Sequence, residues 1–147
     1  MNECPDALAG QPANAPPPPP WYGWRGSGRI LVIEDDDSIR TVLARSIARF
    51  GFTVDLASDG QQAIAQFESG PALFTLVFLD FKLPGMDGSE VLSRLRQIRP
   101  DVRVILMSGL GREEALEKFA GQGLAGFLQK PFALGSLFSE LRAALPS

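Results

Sequence analysis

The chain has 147 residues, one cysteine, no histidine and a formal net charge of -3. Without histidine there is no Ser-His-Asp triad, no imidazole general base and no phosphohistidine, and a lone Cys4 excludes an internal disulfide and a Cys/His zinc site. Chemistry must therefore run on carboxylates, hydroxyls, Lys or Arg, within a chain whose 45% hydrophobic and 21% charged residues fit one globular domain.

A charge this small, with no basic patch, gives no expectation of direct DNA binding. The longest apolar runs, such as residues 76–79, fall far short of a membrane span, and the N-terminus lacks the basic start and apolar stretch of a secretory signal. The expected compartment is the cytoplasm, with no membrane contact.

Residues 1–28 differ in composition from the rest. Seven of the twelve prolines lie in the first 20 residues, five of them as a run at 16–20, and Trp21-Tyr22-Gly23-Trp24 follows at once. The run reads as an extended polyproline II spacer of roughly 15 Å. The segment is expected to be a disordered tail or linker, with a partner-docking peptide as the alternative. The folded domain is expected over residues 29–147.

From Arg29 onward, short apolar runs alternate with helical periodicity. Arg29–Ile33 is a strand candidate. Asp37 or Ser38 is the expected cap of a helix with Ile39, Val42, Leu43, Ile47 and Phe50 inward, ended by Gly51. Thr53–Ala57 is a second strand, followed by a short helix over residues 60–68 with Ala63, Ile64 and Phe67 inward. Residues 75–80 form a third, almost wholly apolar strand, as expected of a central strand covered on both faces. A loop through Pro84 to Gly88 leads to a helix over residues 89–98. Residues 103–107 make a fourth strand and 112–122 a fourth helix. Gly126–Gln129 is the fifth strand, and Leu134–Ala144 the closing helix, with Leu134, Leu137, Phe138 and Leu141 on one face. Five strand-helix units argue for a parallel α/β sheet with helices on both sides.

In such a sheet, ligands gather at the carboxyl ends of the strands. The first strand runs into Glu34-Asp35-Asp36-Asp37, the third ends in Asp80, the fourth leads to Ser108-Gly109 and the fifth to Lys130-Pro131. Glu34, Asp35 and Asp80 offer the oxygen shell that Mg²⁺ takes. Converging carboxylates with no cation would raise each other's pKa values. Lys130 can pair with Asp80 or a phosphoryl oxygen, Ser108 can donate to that oxygen, and Gly109 leaves space beside it. Each residue alone reads as a cap, turn or surface charge, and Asp36 and Asp37 are read as helix caps. The joint arrangement at four strand ends reads as a magnesium and phosphoryl site.

With those residues in view, the chain resembles the receiver domain of two-component response regulators, from Arg29 to about Leu145. The resemblance rests on residues 30–36 (ILVIEDD), 78–88 (FLDFKLPGMDG), 106–109 (LMSG) and 127–132 (FLQKPF). The stretch from Gly123 to Phe132 is also similar to receivers at the C-terminus of hybrid sensor kinases. The resemblance implies a CheY-like, flavodoxin-like (βα)5 three-layer sandwich whose parallel five-stranded sheet has the order 2-1-3-4-5. It implies that Asp80 is the phosphoacceptor and that Glu34, Asp35, Asp80 and the backbone carbonyl of Lys82 hold Mg²⁺. Ser108 is implied as the switch hydroxyl, Lys130 as the partner of a phosphoryl oxygen, Phe127 as the aromatic that turns as Ser108 moves, and Lys130-Pro131 as a cis peptide. Three departures stand out: Glu34 where Asp is commoner, Leu83 in place of Met, and Lys82 beside the acceptor, where it is expected to alter phosphoryl lifetime.

The expected function is therefore a phosphoacceptor switch with at most slow autodephosphorylation, not a turnover enzyme. Lacking histidine, the chain must receive its phosphoryl group in trans, from a histidine kinase, a histidine phosphotransfer protein or a small donor. The donor is expected near Ile39 and Pro131-Phe132. The output surface is expected on the fourth helix, fifth strand and last helix, for a protein target the sequence does not name, with a phosphorylation-dependent homodimer as one possible form. Only two residues follow Leu145, so no output domain is expected after it. A free-standing receiver and the detached receiver of a hybrid kinase both fit. A phosphorylation-independent interaction module on the same fold is the alternative from another class. A haloacid-dehalogenase-like phosphatase is disfavoured, because Asp80-Phe81-Lys82 lacks the second acid of Asp-x-Asp.

Overall fold

A computed structural model describes residues 16–119 and 123–145. Strands β1 (Arg29–Ile33), β2 (Thr53–Ala57), β3 (Phe74–Asp80), β4 (Val104–Ser108) and β5 (Gly126–Gln129) alternate with helices. The helices are α1 (Asp37–Arg49), α2 (Gly60–Ser69), α3 (Gly88–Ile98), α4 (Arg112–Lys118) and α5 (Leu134–Ala144). The strands form one parallel sheet in the order β2-β1-β3-β4-β5.

Side chains on a strand alternate between the two faces of the sheet, and here both faces are covered. Leu31, Ile33, Val77, Leu79, Val104, Leu106 and Phe127 pack with residues of α2, α3 and α4, among them Phe67, Leu92 and Ala115, and with Phe119 just after α4. Their neighbours Ile30, Val32, Leu76, Phe78, Ile105, Met107 and Leu128 pack with Leu43 and Ile47 of α1 and Leu137, Phe138 and Leu141 of α5. This one-residue alternation makes a three-layer sandwich, the flavodoxin-like arrangement, and explains why the central strands are apolar throughout.

Element boundaries differ from expectation where a side chain or turn decides them. Of the candidate caps at 36, 37 and 38, Asp36 is the one that caps α1, its Oδ1 accepting the Ile39 amide at 3.0 Å. A 3-10 turn over Pro71–Leu73, which carries no apolar period, leads into β3 one residue early at Phe74. Asp87 caps α3, so that helix starts at Gly88, and β4 is displaced by one residue, to Val104–Ser108. The part of the fourth helix expected over residues 120–122 lies outside the described residues. Val42, expected inward, is 56% exposed, because it lies one position off the buried stripe of Leu43 and Ile47.

The sequence places the edge of the domain at Arg29, yet packing continues upstream. Trp24 meets Phe50 and Phe138 edge-on, each at 5.4 Å between ring centroids, and Phe52 at 6.1 Å. Trp21 lies against Phe138 at 6.3 Å. The Gly26 amide donates to the Phe50 carbonyl at 2.7 Å, and Thr53 donates to the Gly28 carbonyl at 2.9 Å. The aromatic segment is thus a strap over the end of α1 and the side of α5. Its rings add a fourth and fifth aromatic to a cluster that Phe50, Phe52 and Phe138 begin. Pro16 to Pro20 are exposed, and the expectation of a disordered tail over residues 1–15 falls outside the described residues.

Removing a half-buried ring from such a cluster forfeits packing and edge-to-face contacts, so Trp24→Ala is expected to cost about 2 kcal/mol. The measurement is the urea midpoint. A midpoint equal to the unsubstituted chain's would show that the strap contributes nothing to the fold.

Candidate metal and phosphoryl site

Sheet topology assembles the site. The chain leaves β1 for β2 on one side and returns to β3 on the other, so the carboxyl ends of β1 and β3 flank a crevice. Asp80 is the last residue of β3 and Ser108 the last of β4. Glu34 follows β1 directly, and Lys130 follows β5. These residues line a cleft of about 390 Å³ with Asp35, Asp36, Ile39, Phe81, Lys82, Gly109 and Leu110.

Among the described residues, the buried polar or charged side chains are Glu34, Asp80 and Ser108, at 0%, 4% and 3% exposure. All three belong to this cleft. Burying a charge is costly unless it is paired, and here the pairing is explicit. Lys130 Nζ donates to Glu34 Oε1 at 3.0 Å and lies 3.3 Å from Asp80 Oδ1. Glu34 Oε2 accepts the Asp36 amide at 3.0 Å. The Lys82 amide makes a longer bond of 3.4 Å to Asp80 Oδ1, while the Lys82 residue is exposed. Ser108 Oγ accepts the Leu110 amide at 3.0 Å, and a Cβ on Gly109 would meet nothing within 4 Å.

These contacts set the electrostatics. Burial, then the negative charge of Glu34, pushes the Asp80 carboxyl up to about 7, against the opposing pull of Lys130. Burial pulls Lys130 down, but its bonds and charge pairing with Glu34 and Asp80 outweigh that and leave it above its ordinary value. One carboxylate oxygen each from Glu34, Asp35 and Asp80 lie within 4.8 Å of one another. Three carboxylates against one ammonium leave an excess of negative charge on hard oxygen donors. That donor set fits Mg²⁺, which favours oxygen ligands and keeps water beside one or two carboxylates.

The remaining predicted residues fall around this centre. Phe127 is buried on the α2, α3 and α4 side of the sheet, the side whose strand parity Ser108 shares. The Lys130-Pro131 peptide is cis. Beside the cleft, Ser38, Ile39, Val42, Lys130, Pro131 and Phe132 line a mostly apolar groove of about 250 Å³. Gly88 sits where a Cβ would come within 2.9 Å of the Phe81 backbone, and its amide donates to the Phe81 carbonyl at 2.9 Å. A side chain there would displace the loop that follows Asp80.

Sequence reasoning missed Arg40. Its Nη1 donates to the Glu34 carbonyl at 2.8 Å and its Nη2 pairs with Asp37, tying the acidic loop to the first turn of α1. The available signal was a cation within one helical turn of an acidic run. Also missed was Glu140 of α5, whose Oε1 accepts the Phe127 amide at 3.0 Å. No local pattern marks that bond, which joins elements distant in sequence.

Comparison with known proteins agrees with this architecture. Residues 30–142 match the family described as response regulator receiver domain. The transcriptional regulatory protein TcrA of Mycobacterium tuberculosis (strain ATCC 25618 / H37Rv) is 40% identical over 117 residues, covering 78% of this chain and 45% of TcrA. The sensor kinase CckA of Brucella abortus (strain 2308) is 32% identical over 120 residues, covering 82% of this chain and 13% of CckA. This chain thus spans less than half the length of either relative. Among solved structures, a chain of the CheX-CheY-BeF3-Mg²⁺ complex from Borrelia burgdorferi superposes with a TM-score of 0.75 at 26% identity, over 79% of this chain and 87% of that one. Vibrio cholerae CheY4 gives 0.74 at 24% identity, over 82% and 100%, and bears on the fold alone. On this evidence the chain belongs to the response regulator receiver domain family of two-component systems.

Proposed function

We propose that Asp80 accepts a phosphoryl group and that the resulting aspartyl phosphate switches the domain between two states. The observation that carries this reading is a buried carboxylate at the end of a central strand, held between a lysine and a second acid. An Asp80 oxygen attacks phosphorus, an O–P bond forms, and the bond to the donor breaks. Where the donor is a phosphohistidine, the imidazole leaves with the N–P electron pair and takes up a proton. Lys130 neutralises one phosphoryl oxygen and Ser108 donates its hydroxyl to another, a task of positioning and charge compensation. Mg²⁺ held by Glu34, Asp35, Asp80 and the Lys82 backbone carbonyl would offset the repulsion between donor phosphate and carboxylate. Arg40 keeps the Glu34-Asp35 loop in place for that role.

The donor is a histidine kinase or histidine phosphotransfer protein acting in trans in the cytoplasm, or a small phosphodonor. The groove lined by Ile39, Val42, Pro131 and Phe132 supports docking of that partner next to the cleft, with Val42 as an exposed apolar contact. Phosphorylation draws Ser108 toward the phosphoryl group, Phe127 turns into the space released, and the face of α4, β5 and α5 changes for a downstream protein or a second copy of the chain. The match to part of CckA favours, as a second reading of origin, a receiver detached from a sensor kinase.

Three outcomes are expected. Asp80→Asn keeps the shape of the side chain but abolishes labelling by acetyl phosphate with Mg²⁺; a labelled Asp80→Asn chain would refute the assignment. The second concerns pH in the presence of a chelator. A carboxyl whose folded pKa of about 7 exceeds its unfolded value binds protons more tightly when folded. Its stabilisation is complete below the unfolded pKa and is lost as pH rises through the folded one. The melting temperature should therefore fall between about pH 5 and pH 8, and Asp80→Asn should flatten that slope. An equal slope in both chains would show that Asp80 is not the group responsible. Third, Lys82→Ala should change the dephosphorylation rate by about threefold or more, since an exposed ammonium beside the acceptor orients or competes with the hydrolytic water. An unchanged rate removes Lys82 from the mechanism.

A further inference from the structure

β5 is the edge strand of the sheet, and an edge leaves backbone amides to find partners elsewhere. The Phe127 amide finds one on the last helix: Glu140 Oε1 accepts it at 3.0 Å. The approach depends on the preceding residue. Gly126 has no side chain, and a Cβ at that position would collide with Glu140 Oε1. Glycine at 126, glutamate at 140 and the amide of 127 are thus one arrangement, built across two elements.

Phe127 stands at a junction. Its ring is buried toward α4, on the side of the sheet that Ser108 faces, while its amide points along the sheet edge to α5. A ring that turns can either drag its own backbone with it, dissipating the motion locally, or turn about a fixed backbone and displace what the backbone is fastened to. We propose that Glu140 is the positioning residue of the switch: it fastens the Phe127 backbone to α5, so that the movement of Ser108 and Phe127 is delivered to the output helix. This rests on the proposed phosphoacceptor function and names the bond through which that function reaches the surface. Glu140 is not among the residues that line the acidic cleft.

The chain carries its own reporter for α5. Its two tryptophans both pack on Phe138 of that helix, and Trp21 also lies against Gly135. Two readouts on the full chain therefore separate chemistry from transmission: mass-resolved labelling of Asp80 by acetyl phosphate with Mg²⁺, and the change in tryptophan emission on adding beryllofluoride with Mg²⁺. In Glu140→Ala, labelling is expected to proceed within about twofold of the unsubstituted rate while the emission change falls about fivefold or more. Glu140→Gln retains the acceptor oxygen and should keep the response. Gly126→Ala, which expels the carboxylate, should reproduce the loss and guards against a defect peculiar to position 140.

Equal emission changes in Glu140→Ala and the unsubstituted chain overturn the proposal. So does a response lost equally in Glu140→Gln, or labelling that falls in step with emission, which would mark a general loss of structure. Labelling of the unsubstituted chain with no emission change also overturns it while leaving Asp80 as acceptor. Failure of that chain to label strikes instead at Asp80, and the switch on which Glu140 acts falls with it.

Discussion

The Lys130 ammonium lies between two buried carboxylates, Glu34 and Asp80, and much of the molecule is arranged to permit it. β3 and β5 are not neighbours; β4 runs between them. The lysine must therefore cross the end of β4 to reach Asp80. The chain there is Ser108-Gly109, and the Lys130 amide is anchored to the Ser108 carbonyl at 2.8 Å. A Cβ on Gly109 would meet nothing within 4 Å, so the end of β4 leaves open space beside the ion pair.

Strand parity then sorts the functional groups. Glu34, Asp80 and Lys130 carry the parity of Val32, Phe78 and Leu128, which face α1 and α5. Ser108 carries that of Leu106, and with Phe127 it belongs to the opposite face, over α2, α3 and α4. Charge is therefore held on one side of the sheet while the two groups proposed to move lie on the other. Ser108 at the end of β4 and Phe81, which directly follows Asp80 and packs against the second face, both lie where the acidic cleft meets that face.

The strands and the acidic cluster were legible in the sequence because both are local signals. An apolar run of five to seven residues announces a buried strand, and a polar residue that breaks such a run marks the strand end. What stayed hidden depends on contacts between distant segments. Trp21 and Trp24 follow a proline run and so read as part of a tail, yet the aromatic patch that receives them is assembled from Phe50, Phe52 and Phe138 only in the fold. Glu140 reads as one more charge on an exposed helix face, and nothing near it in sequence announces the open amide of β5. Val42 was misplaced for a subtler reason: periodicity gives the direction of a helical face but not its width.

Glu34 shows how a departure from the usual residue becomes intelligible only in three dimensions. The extra methylene lets Oε1 reach Lys130 at 3.0 Å while Oε2 accepts the Asp36 amide at 3.0 Å, so a fully buried carboxylate has both oxygens bonded. The same reach fixes the division of roles between the two adjacent acids. Glu34 is held from both ends, whereas the neighbouring Asp35 is exposed. A hard cation that keeps part of its water shell suits an acid pair of this kind, one member rigid and dry, the other free to adjust at the solvent edge. Glutamate at 34 therefore has both of its buried oxygens bonded while Asp35 stays at the solvent edge, and Lys130 is the cation between the two buried acids.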